Sequence, residues 1–149
     1  MTNNDVLRSV RYILNISDTK LIEILALAGC EVSRSDITSF LRKEDEEGYK
    51  ECSHRVMGHF LNGLIFHKRG KDETRPALPV ETYITNNVVL KKLRVAFELK
   101  DSDLIAIIEK SGLRVSKAEL GAFFRKSDHR NYRECGDQFL RYLLKGLAL

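Results

Sequence analysis

Residues 40–52 read FLRKEDEEGYKEC, and residues 123–135 read FFRKSDHRNYREC. Phe40, Arg42, Lys43, Asp45, Tyr49, Glu51 and Cys52 return as Phe123, Arg125, Lys126, Asp128, Tyr132, Glu134 and Cys135, each 83 residues further on. Extended outward at that offset, residues 3–64 lie on residues 86–147 without a gap. About a third of the positions are identical, where unrelated segments match at roughly one in sixteen. The chain is an internal duplication, and every local reading can be made twice.

Apolar spacing in each copy predicts four helices. The first opens on Asn3 or Asn4 (Asn86 or Asn87), good N-capping residues. It presents Val6, Leu7, Val10 and Leu14, matched by Val89, Leu90, Leu93 and Phe97. The second opens at Asp18 (Asp101), carries Leu21, Ile22, Ile24 and Leu25 (Leu104, Ile105, Ile107, Ile108), and ends at Gly29 (Gly112). Glycine suits a left-handed residue closing a helix, because it has no Cβ to clash there. The third begins with a capping box, Ser33 with Asp36 and Ser116 with Glu119. Its buried stripe is Ile37, Phe40 and Leu41, or Leu120, Phe123 and Phe124.

After the polar turn EDEEG or SDHRN, a fourth helix is expected from near Tyr49 or Cys52 (Tyr132 or Cys135). Its stripe is Cys52, Val56, Phe60 and Leu64, or Cys135, Phe139, Leu143 and Leu147. Between the copies, KRGKDETRPALP has the charge, glycine and two prolines of a loop. No alternating run suggests a strand. The expectation is all-α: a first helical repeat over residues 1–67, a linker over 68–85, and a second repeat over 86–149. A four-helix unit of about 60 residues buries only about 60% of its unfolded surface. The two units are therefore expected to pack together, about a pseudo-two-fold axis.

The chain has 149 residues, 43% hydrophobic and 31% charged, which is the balance of a folded globular protein. The first residues lack a signal-peptide pattern, and no apolar run nears the ~20 residues that span a bilayer. Three cysteines, in no ligand-like spacing, fit a reducing compartment. These features point to a cytoplasmic protein with no membrane partner. Net charge is +4 but unevenly placed: −2 over residues 1–67, +1 over 68–85 and +5 over 86–149. Either the halves attract each other or the basic half faces an anionic partner.

The strings VLRSVRYILN, FLRKEDEEGY, NGLIFHKRGKDE, NNVVLKKLR and DHRNYRECGDQFLRYLLKGL resemble those of the YehS-like family, small bacterial proteins of unknown function. The resemblance covers nearly the whole chain. It implies a bacterial cytosolic protein with a tandem helical domain, and brings no activity, cofactor or catalytic residue with it.

Candidate chemistry is sparse. Residues 25–41 resemble a helix-turn-helix, with Ala28-Gly29 before the turn and Ser33 opening the next helix, although Cys30 and Glu31 lengthen the turn. Arg34, Thr38 and Arg42 on that third helix are the residues able to reach phosphates and base edges. Lys117 and Arg125 stand at the equivalent positions of the second copy. Arg42-Lys43 and Arg125-Lys126 also suit a helix C-terminus, where cations complement the dipole. A further basic cluster is Lys91, Lys92 and Arg94 on the fifth helix, with Arg130 and Arg133 before the eighth. The spacing of Cys52, His54 and His59 matches no zinc pattern, so no metal and no cofactor is expected. There is no phosphate loop, nucleophile elbow or H-E-x-x-H, so a non-enzymatic reading follows. It is an interaction module that binds a protein partner or itself; the alternative is a nucleic-acid-binding regulator.

Overall fold

A computed structural model describes all 149 residues, Met1–Leu149, and places eight α-helices along the chain. The fold is all-α, with no strand. The chain divides into two compact units, Met1–Ile84 and Thr85–Leu149. The first holds α1 (Asn3–Leu14), α2 (Asp18–Leu27), α3 (Arg34–Leu41) and α4 (His54–Arg69). The second holds α5 (Asn86–Ala96), α6 (Asp101–Ser111), α7 (Lys117–Phe123) and α8 (Asp137–Leu147).

In the first unit α2 packs on α4 and α3, and α1 closes over α3 and α4; the second repeats the plan, with α6 against α8. Leu7, Leu21, Ile24, Leu25, Ile37, Phe60, Leu61 and Leu64 form the first core. Leu90, Leu93, Leu104, Ile108, Leu120, Leu140 and Leu143 form the second. Burying each such side chain is worth about 1.5–3 kcal/mol, which is what draws the amphipathic helices together. In each unit two helices meet closely at a glycine. A Cβ on Gly63 would lie 2.1 Å from the Ile24 carbonyl oxygen, and one on Gly146 would lie 2.7 Å from that of Ile107. These identical positions let α4 and α8 ride directly on the backbones of α2 and α6.

Several helix ends differ from the sequence reading. Thr2 and Thr85 cap α1 and α5 through their hydroxyls, with Asp5 N–H at 3.1 Å and Val88 N–H at 3.2 Å. Asn3 and Asn4 therefore sit inside the first turn, which frees their side chains for longer-range work. Ser17, not Asp18, caps α2, and Lys100 holds the cap position of α6. Asp18 and Asp101 instead face Arg11 and Arg94 across the helix corner, at 3.2 and 2.9 Å. The fourth helices start later than expected, at His54 and Asp137; residues 49–53 and 132–136 lie outside any helix and enter α4 and α8 through extended Ser53 and Gly136. The Ser116–Glu119 capping box closes in both directions. Ser33 also caps its helix, while the Asp36 carboxylate is taken up by Lys50 at 3.0 Å. Gly29 (φ +84°) and Gly112 (φ +107°) close α2 and α6 in the left-handed conformation, as their spacing suggests.

The segment between the copies is built into the first unit. Asn62 donates to the Pro79 carbonyl at 3.1 Å, and His54 Nδ1 accepts from the Ile84 N–H at 3.0 Å. A Cβ on Gly58 would come within 2.7 Å of the Glu81 carbonyl oxygen. His54, Gly58 and Asn62 are spaced four apart, so they line one face of α4. On it, residues 78–84 lie as a strap, with Tyr83 stacked on His54 at 4.5 Å.

Candidate functional site

The repeated stretch is held by a buried asparagine. Asn4 Nδ2 donates to the carbonyl oxygens of Phe40 (3.0 Å) and Lys50 (2.8 Å), and its Oδ1 accepts from the Cys52 N–H (2.9 Å). Asn87 does the same for Phe123 (3.0 Å), Arg133 (2.9 Å) and Cys135 (2.9 Å). Asn3 and Asn86 add bonds to the Cys52 and Cys135 carbonyls at 3.1 and 2.9 Å. Each amide donates twice and accepts once, a combination that a hydroxyl or a carboxylate of that size cannot supply. Inside the turn, the Glu46 and His129 N–H groups bond the Lys43 and Lys126 carbonyls at 3.0 and 2.9 Å. The two turns share one frame.

On the first unit this frame borders a groove of about 270 Å³. Cys30, Val32, Phe40 and Val56 supply its apolar lining; Glu31, Asp36, Lys50, Glu51 and Arg55 stand around it. Lys50 bridges the rim, bonded to Asp36 and 6.0 Å from the centre of the Phe40 ring. That bond holds the Asp36 carboxyl below its usual range. In the second unit Leu113 stands at the position of Cys30, and Phe139 at that of Val56. The Phe139 ring packs tilted against Phe123 with centroids 4.9 Å apart, where the first copy has the smaller Val56 beside Phe40. Two of the residues lining the groove are therefore smaller than their counterparts in the second copy. The copies compared position by position carry that signal, but Val56 reads as an ordinary member of an apolar stripe and Cys30 as part of a turn.

The residues singled out from sequence separate into two groups. Arg34 is tied to the Thr19 hydroxyl at 2.6 Å, and the Thr38 hydroxyl bonds the Arg34 carbonyl at 3.0 Å. Arg42 folds back onto the Glu47 carbonyl at 3.0 Å. These three are exposed, but each is engaged within its own unit. Arg94 is bound to Asp101 and lies over the Phe124 ring at 4.5 Å, and Lys92 is half-buried. Lys117 is exposed at the far end of α7 from the turn. Lys91, Arg125, Lys126, Arg130 and Arg133 are all exposed. Four of them lie on the second turn. Lys91, one helical turn beyond Asn87, takes the place from which Arg8 reaches the Arg42 carbonyl at 2.9 Å.

The thiols are set apart from chemistry. Cys52 and Cys135 are buried, and burial pushes both up to about 12, with smaller contributions from Cys30 and Asp137 respectively. A thiol at that value is protonated at neutral pH and a poor nucleophile or metal ligand. No group of three or more His, Cys, Asp or Glu side chains is placed to hold a metal ion. No helix is long and apolar enough to cross a membrane.

The class these features define is a duplicated four-helix protein, whose copies share a frame and differ in the groove and in the charge of the turn. The chain belongs to the family described as "Protein of unknown function (DUF1456)", whose model matches residues 3–70 and 86–149. It is 56% identical over 148 residues to the "Uncharacterized protein YehS" of Escherichia coli (strain K12), covering 99% of this chain and 95% of that protein. No solved structure matches the chain.

Proposed function

We propose that the protein is a non-enzymatic interaction module that takes up a segment of a partner protein in the groove of its first unit. The observation that carries this reading is the asymmetry of the duplication at that point. Cys30 and Val56 line the groove in one copy, where the other has the larger Leu113 and Phe139, the latter packed on Phe123. A volume of about 270 Å³ accepts one large apolar side chain, the kind of anchor that dominates protein interfaces. Glu31 and Glu51 stand exposed at the rim, and the acidic run Glu44–Glu47 precedes Glu51 in the chain. An apolar residue flanked by lysine or arginine is the complementary segment.

Rebuilding the second unit's filling in the first tests this. Cys30→Leu with Val56→Phe should pack against Phe40 as Phe139 packs against Phe123, leaving the melting temperature within a few degrees. Proteins captured by the parent from nuclease-treated lysate of the native host should be reduced at least tenfold on the double variant. Undiminished capture by the folded variant counts against the groove, and capture that disappears with nuclease counts against a protein partner.

A further inference from the structure

The turn between α7 and α8 keeps the frame of its counterpart while its charge is inverted. Residues 42–51 carry a net −2, and residues 125–134 a net +2 with His129 neutral. The inversion comes from losing the acidic groups one by one. Asp5, which pairs with Arg8, is replaced by Val88, and Glu44, Glu46 and Glu47 by Ser127, His129 and Arg130. Cations that the first unit spends on its own carbonyls and carboxylates are left facing solvent in the second. Asp128 and Glu134 are the acidic residues that remain on the turn.

We propose that this turn, with Lys91 beside it, binds the phosphodiester backbone of a nucleic acid. Lys91, Arg125, Lys126, Arg130 and Arg133 supply the charge, and arginine forks match phosphate oxygens two at a time. The Asn87 clamp fixes the turn beforehand, so binding does not have to order a loop. Exposed residues of the turn from Arg125 to Asn131 are all polar or charged. With no apolar surface there to desolvate, the affinity is electrostatic and sequence-independent. This site lies on the other unit from the groove and does not depend on it.

The test is fluorescence anisotropy of the full chain with a labelled oligonucleotide, as single-stranded RNA and as DNA duplex. If five phosphates are contacted, raising salt from about 50 to about 200 mM weakens binding about 100-fold for the single strand and about 500-fold for the duplex. Arg130→Glu with Arg133→Glu should weaken binding at least tenfold and make the salt dependence shallower. Lys91→Glu with Lys126→Glu, in a separate chain, should do the same. Circular dichroism establishes that both variants are folded. Val56→Phe, on the other unit, should leave this binding unchanged. Unchanged affinity in both charge-reversed variants overturns the proposal. So does polyglutamate of matched length binding as tightly as the oligonucleotide, which assigns the patch to an acidic protein.

Discussion

Replacing Gly63 by alanine puts one methyl group where the structure has no room. The new carbon falls 2.1 Å from the Ile24 carbonyl oxygen, 2.9 Å from its carbonyl carbon and 3.2 Å from its Cγ2. A carbon and a carbonyl oxygen settle at about 3.3 Å or more, so α2 and α4 must part by about 1 Å. That shift loosens Leu21, Ile24, Leu25, Phe60 and Leu64, all fully buried. Overpacking costs about 1–3 kcal/mol and occasionally more. A clash with backbone belongs at the top of that range, because no rotamer change relieves it. Alanine's better helix propensity returns about 1 kcal/mol, leaving a net loss of about 2 kcal/mol. Gly146 is the internal control. Its methyl would meet the Ile107 Cγ2 at 2.5 Å and the Ile107 oxygen at 2.7 Å. The side-chain methyl can turn away, and less backbone movement is needed. Gly146→Ala should therefore cost about 1 kcal/mol or less once propensity is returned. Urea unfolding followed by circular dichroism gives both values. A Gly63→Ala chain as stable as the parent, or a larger loss from Gly146→Ala, would refute the crossing as described.

Asn4→Ala strips partners from the buried Cys52 N–H and from the Phe40 and Lys50 carbonyls; thermal melts should show a loss of about 2–4 kcal/mol. Asn87→Ala should cost less, because that clamp is more exposed. The cysteines give a pH dependence. Their folded values of about 12 lie above the ordinary 9.0, so the folded state keeps protons that the unfolded chain releases. Stability from this source is complete below about pH 9 and lost as pH rises toward 12, at up to ~1.4 kcal/mol per unit for each thiol. Urea midpoints of the parent minus those of Cys52→Ala/Cys135→Ala should fall across that window and stay flat below it.

Much of the fold is legible in the sequence because its cause is local. A 3.6-residue apolar period places α2 and α6 to within a residue or two, and the Ser33 and Ser116 caps do the same for α3 and α7. Gly29 and Gly112 mark their turns for a similar reason, since only a left-handed residue fits there. What stayed hidden depends on partners distant along the chain. Asn4 looks like a cap because capping is what asparagine does beside a helix; its true partners lie 36 to 48 residues away. Gly63 looks like a weak point in a helix until the Ile24 carbonyl is placed against it. The groove is subtler still: the smaller side chains at Cys30 and Val56 that line it stand out only against Leu113 and Phe139. For the basic residues, sequence supplies the charges, and the frame decides which are spent. Arg34, Arg42 and Arg94 are engaged; Lys91, Arg130 and Arg133 face outward.

The strap over α4 changes where the first half of the protein should be said to stop. The repeat that can be seen in sequence ends near residue 64, and the family match to it ends at residue 70. The folded body continues to Ile84. His54, Gly58 and Asn62 are fitted to the last stretch; the second copy has Asp137, Arg141 and Lys145 at the same positions. A fragment cut at residue 70 would therefore keep the whole inherited unit and still bare a helix face shaped for a segment it no longer owns. What was copied and what folds have different boundaries, and the tether between the copies has become part of one of them.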